Sequence, residues 1–224
     1  MPLSHSGQRF QNRNEAGQML ARHLQREVSQ ADLIVIALPR GGVVIGYEIA
    51  RLLEIPLEIL IIRKLGAPHQ PELAVGAVAS GGFRYLNQEL IDQLAIDQST
   101  LVRLQENALH ELERREDIYK PHAPSVSLRG HQVLLVDDGI ATGASIEVAL
   151  RAIKAVQPAG ISIAVPVATL GVIEKLHREV NHIYALQTPF ELGSIGEFYE
   201  EFEQVSDEEV IKMLDEVNRV DSSA

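Results

Sequence analysis

Two adjacent carboxylates, Asp137 and Asp138, follow directly after the apolar run 133–136 (VLLV). An uninterrupted aliphatic run is typical of a strand in a parallel sheet, because helices cover both faces of such a sheet. Open α/β sheets bind ligands at the carboxyl ends of their strands, so the two carboxylates are predicted to lie at a binding site. Carboxylates accept hydrogen bonds from sugar hydroxyls and bind hard cations such as Mg²⁺.

The turn after these carboxylates has the composition of a phosphate site. Residues 142–145 (TGAS) supply backbone N–H groups and hydroxyls at the start of a predicted helix, Ala144–Gln157. A helix N-terminus carries roughly +0.5 of an elementary charge and several unpaired N–H donors, which suits an anion. Carboxylates for hydroxyls beside a phosphate cradle indicate a sugar phosphate as the ligand. The alternative is a capped strand–turn–helix joint with solvated aspartates.

A second strand-to-helix turn, 39–42 (PRGG), follows the aliphatic run Leu33–Leu38. Glycines let a backbone approach a ligand closely, and Arg40 adds a fixed charge with planar donors. Alone, this turn fits an exposed arginine on a tight turn equally well. If the strands Leu33–Leu38 and Gln132–Val136 are neighbours where the strand order reverses, both turns line one crevice.

Two cations, Arg63 and Lys64, follow a third predicted strand, Leu57–Ile62, which is aliphatic except for Glu58. Successive side chains of a strand point to opposite sides, so we prefer Lys64 as the ligand contact. The segment Gly66–Pro71 (GAPHQP) is predicted to be a loop, because its glycine and prolines disfavour regular structure. The alternative is a flexible surface loop with solvated charges.

The remaining elements have to position these turns. Aliphatic runs alternate with amphipathic helices such as Arg13–Val28, which predicts βαβ units and a mainly parallel, twisted sheet in a three-layer α/β/α domain. We expect a single domain over residues 1–224. A hairpin is predicted around residues 80–82 (SGG), and a capping box at 206–209 (SDEE) predicts the last helix. The charged face of the predicted helix Asp97–Lys120 fits solvated surface.

The composition excludes several classes of protein. The 224 residues include 31 acidic and 20 basic ones, for a net charge of −11, so a nucleic-acid partner is not expected. There is no cysteine for disulfides or thiolate metal sites. No apolar run approaches the roughly 18–20 residues that cross a bilayer, and residues 1–14 lack the apolar core of a secretory signal. We therefore expect no membrane association and a cytoplasmic location.

Residues 133–145, with four apolar residues, two acids, three variable positions and Thr-Gly-Ala-Ser, resemble the diphosphoribosyl-binding motif of the type I phosphoribosyltransferases. The Arg40 turn resembles their pyrophosphate loop, and Leu65–Glu72 resembles their mobile loop. The resemblance implies the sheet order 3-2-1-4-5-6 and a non-proline cis peptide at or near Arg40–Gly41. It also implies a small hood over the site, built from parts of residues 1–12, 73–86 and 188–199.

The implied activity is Mg²⁺-dependent transfer of a 5-phosphoribosyl group from phosphoribosyl diphosphate to a nitrogenous base, with release of pyrophosphate. The implied catalytic residues are Arg40, Lys64, Asp137 and Asp138. The two aspartates would also hold Mg²⁺, partly through water and substrate. The implied contacts to phosphoribosyl diphosphate are Pro39, Arg40, Gly41, Gly42, Arg63, Lys64, Asp137, Asp138, Gly139, Ala141, Thr142, Gly143, Ala144 and Ser145.

The sequence does not identify the acceptor base. Ala141 occupies the position where the 6-oxopurine enzymes of this family carry an aspartate, which counts against guanine and hypoxanthine without choosing another base. Phe190, Phe198 and Tyr199 are candidates for stacking on a base, although such residues are more often core. Glu72 is a candidate general base, although an exposed surface glutamate is the simpler interpretation. The competing function is a non-catalytic sensor of phosphoribosyl diphosphate. Homodimers are frequent among such enzymes.

Overall fold

The structure, a computed structural model, describes residues 9–124 and 126–218, without the side chains of Pro71 and Glu72. Seven α-helices and eight strands are assigned within these ranges, besides three short 3-10 helices. In chain order they are α1 (Arg13–Glu27), β1 (Leu33–Ala37), α2 (Gly41–Leu53), β2 (Leu57–Ile59), β3 (Ile62–Ala67), β4 (Gln70–Ala79), β5 (Phe83–Leu86), α3 (Gln88–Gln93), α4 (Gln98–Tyr119), β6 (Gln132–Val136), α5 (Ala144–Ala155), β7 (Gly160–Val167), α6 (Leu170–Leu176), β8 (His182–Gln187) and α7 (Asp207–Asn218).

A parallel sheet with the order β2-β1-β6-β7-β8 forms the centre of the fold. Alternate residues of its strands enter two different cores. Val35 and Leu134 pack in the core with α1, α2 and α7, whereas Ile34 and Val133 pack in the core with α5. Both faces of the sheet are therefore covered, which explains the continuous aliphatic runs. The predicted α/β class with a mainly parallel sheet is confirmed.

The implied sheet order 3-2-1-4-5-6 is wrong. Among the described residues this sheet has five strands, β1, β2, β6, β7 and β8. If these five are numbered 1 to 5 in chain order, their order in the sheet is 2-1-3-4-5. The predicted strand Leu57–Ile62 divides after Ile59, and β3 leaves the sheet to pair antiparallel with β4. The chain after β2 therefore builds a separate three-stranded antiparallel sheet, β3-β4-β5, instead of a further parallel strand.

The predicted loop Gly66–Pro71 is also wrong. β3 continues to Ala67, and β4 begins at Gln70, so that only Pro68 and His69 form the turn. His69 takes the positive φ of 67° that this tight reversal requires. The pairing register shifts at Gly66 and Ala67. This irregularity allows the strand to continue through residues whose composition predicts a loop. The hairpin predicted around residues 80–82 is confirmed by the pairing of β4 with β5.

Side-chain caps fix the helices that surround the strand ends. Asn12 accepts the Glu15 N–H at the start of α1. The predicted capping box of α7 is confirmed, because the Glu209 N–H donates to Ser206 Oγ and the Ser206 N–H donates to Glu209 Oε2. Among the helices assigned in residues 9–124 and 126–218, none is long and apolar enough to span a membrane.

Glu58, on the edge strand β2, gives the fold a pH-dependent stability. Its partly buried carboxyl accepts the Val126 N–H at 3.1 Å, and burial raises its pKa from 4.5 to about 7. The folded state therefore binds this proton more tightly than the unfolded chain. The resulting stabilisation is complete below pH 4.5 and is lost as the pH rises through 7.

We expect Glu58→Gln to raise the melting temperature by roughly 2–6 °C at pH 8 and by much less at pH 5. Glutamine keeps the acceptor oxygen for Val126 but cannot ionise. Thermal unfolding of both proteins at the two pH values measures the effect. An equal shift at both would contradict the role given to the Glu58 proton.

Candidate functional site

The two predicted turns meet at the carboxyl edge of β1 and β6. These strands are parallel neighbours, and the strand order reverses between them. A Cβ atom on Gly41 would lie 2.0 Å from Asp138 Oδ2, and one on Gly42 would lie 2.9 Å from the Asp137 Cα. The glycines therefore allow the Arg40 turn to pack directly on the carboxylate turn. A non-proline cis peptide joins Pro39 and Arg40, within the region at or near Arg40–Gly41 that the resemblance implies.

The two carboxylates have different surroundings. Asp137 lines an open cleft, and its Oδ1 accepts the Asp138 N–H at 2.9 Å. Desolvation, followed by the nearby charge of Asp138, raises the pKa of Asp137 well above its ordinary value of 3.8. Asp138 Oδ2 instead accepts a hydrogen bond from Arg13 Nε at 2.8 Å, and only 12–13% of these two side chains is exposed. The pair therefore combines a carboxyl whose pKa is raised by desolvation with a carboxylate that is paired to a cation.

Arg13 is a site residue that the sequence interpretation missed. Its Nη1 donates to the Glu203 carbonyl at 2.8 Å, and its guanidinium lies 3.7 Å from the ring centroid of Phe202. On the same side, the Tyr199 hydroxyl donates to the Asp138 carbonyl at 2.7 Å. One local signal existed, because a cation in the first turn of a helix opposes the helix dipole. Such a misfit often marks a residue that is used by the tertiary structure.

The predicted phosphate turn lies at the start of α5. Gly143 takes a φ of 80° at the N-cap, a backbone conformation that side chains other than glycine rarely adopt. Thr142 is exposed at this turn, and Ser145 lines the cleft. Gly139 is buried, where a Cβ atom would lie 2.7 Å from the Ile195 side chain. Asp137 and Ser145, at the two ends of this segment, therefore line the same cleft.

The cleft has a volume of about 560 Å³ and lies between the strand ends and α4. Arg63 and Lys64 both line it, although alternation along a strand predicted opposite sides for them. Lys64 lies close enough for its charge to lower the pKa of Asp137, against the larger effects that raise it. Arg63 pairs with Glu111 of α4. Arg40 lies 3.6 Å from Asp207, at the start of α7.

The segments predicted to form a hood have different environments. Tyr199 is 2% exposed and belongs to the core, so it does not present a stacking face to a base. Phe198 is partly buried beside Phe10, whose N–H donates to its carbonyl. Phe190 is 83% exposed and follows β8. Residues 1–8 of the predicted hood and the side chain of Glu72 lie outside the described residues.

Asp137 and Asp138 suit a magnesium ion that is held mainly by substrate and water. Carboxylate oxygens are the hard ligands that Mg²⁺ prefers. The raised pKa of Asp137 comes from desolvation and a neighbouring negative charge, and a bound cation would oppose both effects. Within residues 9–124 and 126–218 no cluster of three or more histidine or acidic side chains could hold a metal ion.

Comparison with known proteins agrees with this geometry. The profile of the family described as phosphoribosyl transferase domain matches residues 9–189. Two Mycobacterium tuberculosis proteins, from strains CDC 1551 / Oshkosh and ATCC 25618 / H37Rv, are provisionally named phosphoribosyl transferases, and each is 35% identical to this chain over 210 residues. The matches cover 94% of this chain and 47% of each relative, so the chain spans about half the length of these curated relatives.

A solved structure agrees over nearly the whole chain. The crystal structure of TT1426 from Thermus thermophilus has 38% sequence identity and a TM-score of 0.80. The match covers 93% of this chain and 98% of that one. With the family profile, the relatives and the packed turns in agreement, this chain belongs to the phosphoribosyl transferase domain family.

Proposed function

We propose that the protein is a phosphoribosyltransferase that transfers the 5-phosphoribosyl group of phosphoribosyl diphosphate to a nitrogenous base, in the presence of Mg²⁺. The supporting observation is the direct packing of the Arg40 turn on the carboxylate turn, through Gly41 and Gly42. This contact gives one crevice a cationic loop, two carboxylates and a helix N-terminus. The three match the pyrophosphate, the ribose hydroxyls and the 5′-phosphate of that donor.

Each part of the site has a distinct role in the proposed complex. The backbone from Ala141 to Ser145 binds the 5′-phosphate at the start of α5. Asp137 and Asp138 accept hydrogen bonds from the ribose hydroxyls. Arg40 and Lys64, with the backbone of the glycine pair, hold the pyrophosphate. Arg13 keeps the Asp138 side chain in place through the 2.8 Å hydrogen bond from its Nε.

The transfer breaks one bond and forms another at the anomeric carbon. The C–O bond to pyrophosphate breaks and its electron pair leaves with the pyrophosphate. A ring nitrogen of the acceptor forms the new C–N bond and releases its proton to water. Arg40 and Lys64 stabilise the charge on the leaving group, and the carboxylates stabilise positive charge on the sugar. Bound Mg²⁺ would add charge neutralisation at the pyrophosphate oxygens.

Turnover tests the proposal directly. The protein is incubated with phosphoribosyl diphosphate, MgCl₂ and a panel of purine, pyrimidine and pyridine bases, and pyrophosphate release is followed. We expect release that depends on one base or one class of base. Tight binding of phosphoribosyl diphosphate without release on any base would support the competing function, a non-catalytic sensor. A cytoplasmic location and homodimer formation stay predictions from the sequence.

A further inference from the structure

A row of arginines extends from the Arg40 turn along α4 to β3. We call it the arginine strip and define it as Arg40, Arg63, Arg114 and Arg115, with the two carboxylates of Glu111 and Asp207. Its arginines come from three separate parts of the chain. Lys64, next to Arg63, adds a fifth cation at the cleft. Lys64 also lies close to Asp137, so the comparison of charge is between the four arginines of the strip and the two carboxylates Glu111 and Asp207, in a protein whose net charge is −11.

Glu111 is shared by three arginines of the strip. Both Nε and Nη2 of Arg114 donate to its carboxylate at 2.9 Å, and Arg115 Nε donates at 3.3 Å. The third partner is Arg63, which lies 48 residues away on β3. Pairs three and four residues apart are common on helix surfaces, but they do not explain why Arg63 joins them. Glu111 therefore links α4 to the cleft wall, rather than only to its own helix.

Asp207 has a similar role at the other end of the strip, where it pairs with Arg40. It lies 3.6 Å from Arg40 Nη1 and accepts a hydrogen bond from the hydroxyl of Tyr119. Burial, with that hydrogen bond, raises the pKa of Tyr119 to about 12, so its hydroxyl stays a donor. Arg114 lies within electrostatic range of Asp207. The two ends of the strip are therefore joined through α4.

The carboxylates of the strip are open to exchange. The side chains of Glu111 and Asp207 are 35% and 36% exposed. Ion pairs at such exposure contribute little to stability, so a ligand with several charges can replace them. Guanidinium groups match phosphate oxygens in a bidentate way, and two singly charged carboxylates leave the four arginines undercompensated.

We propose that the arginine strip binds the diphosphate group of the donor substrate and the pyrophosphate released from it. Glu111 and Asp207 occupy, in the ligand-free protein, positions that phosphate oxygens take in the complex. This inference rests on the proposed function and extends its pyrophosphate site to Arg114 and Arg115 of α4. It also gives the charged face of α4 a role beyond solvated surface.

Calorimetric titration of the full chain in MgCl₂ tests the inference, with inorganic pyrophosphate and ribose 5-phosphate as separate probes. We expect Arg115→Gln to weaken pyrophosphate binding about tenfold or more. Glu111→Gln should tighten it about threefold, because a competing carboxylate is removed. Ribose 5-phosphate affinity should stay unchanged in both variants. Arg103→Gln and Glu113→Gln, on the same helix outside the strip, are the matched controls.

The sign of the Glu111→Gln effect separates the inference from a structural role. A purely structural Glu111 would weaken the binding of both probes, with a lower melting temperature, and that result would overturn the inference. If Arg115→Gln left the pyrophosphate affinity unchanged, the inference would also be overturned. The proposed function would still stand in that case, provided that the protein bound ribose 5-phosphate and showed turnover. If the wild-type protein bound neither ribose 5-phosphate nor phosphoribosyl diphosphate, the proposed function would fail first.

Discussion

Asp137→Asn is expected to lower turnover at least ~100-fold while leaving the melting temperature at pH 8 equal or higher. The loss follows from the proposed contact with the ribose hydroxyls, for which an amide is a poorer acceptor than a carboxylate. The gain in stability follows from the raised pKa of Asp137, which has an ordinary value of 3.8. The protonated carboxyl stabilises the fold fully below that value, and this stabilisation is lost as the pH rises. Asparagine cannot ionise, so its advantage should grow with pH.

Asp138→Asn is the matched comparison, because it makes the same chemical change at a carboxylate that is paired with a cation. Asp138 is the partner of Arg13, whose side chain is 12% exposed. A neutral amide leaves that cation without its counter-ion, so this variant should unfold at a lower temperature. Pyrophosphate release and thermal unfolding at pH 5 and pH 8 measure both variants. Equal destabilisation by the two substitutions, or full turnover in Asp137→Asn, would contradict the division of roles between the carboxylates.

The turns of the site were predictable because their chemistry is local. A buried strand, an acid pair and a glycine-bearing helix start are adjacent in residues 133–145, and the carboxyl-edge rule of parallel sheets then places them. The contact of this segment with the Arg40 turn was predicted only if the two preceding strands are neighbours at the point where the strand order reverses. The pairing of β1 with β6 meets that condition.

The parts that were missed depend on long-range contacts. Arg13 reaches a carboxylate 125 residues away, and Tyr199 supports the backbone of Asp138 from 61 residues away. No spacing rule relates such residues. The sequence predicts one strand over Leu57–Ile62 because hydrophobic periodicity does not show where a strand changes its partner. It predicts a solvated charged face for the helix Asp97–Lys120, because nothing local shows that Glu111 of this helix pairs with Arg63, which lies 48 residues away on β3.

Gly41→Ala is expected to reduce turnover by about 100-fold or more, through one added methyl group. The new Cβ atom would lie 2.0 Å from Asp138 Oδ2 and 3.0 Å from Arg13 Nε. The carboxylate cannot turn away without losing its 2.8 Å bond to Arg13, so the Arg40 turn has to move instead. Alanine is otherwise a better helix former than glycine by about 1 kcal/mol, so the start of α2 itself should not suffer. Gly171→Ala is the control and should keep full turnover, because its added Cβ in α6 would meet nothing within 4 Å apart from its chain neighbours and the backbone of its own helix.

A double-mutant cycle identifies the clash as the cause. Asp138→Ala removes the carboxylate that the new methyl group would meet. Gly41→Ala should therefore cost much less stability in the Asp138→Ala background than in the wild type, because residues in contact are not additive. Thermal unfolding of the four proteins gives the coupling directly. An equal cost in both backgrounds would place the strain elsewhere, and the packing of the Arg40 turn on Asp138 would no longer explain why position 41 is a glycine.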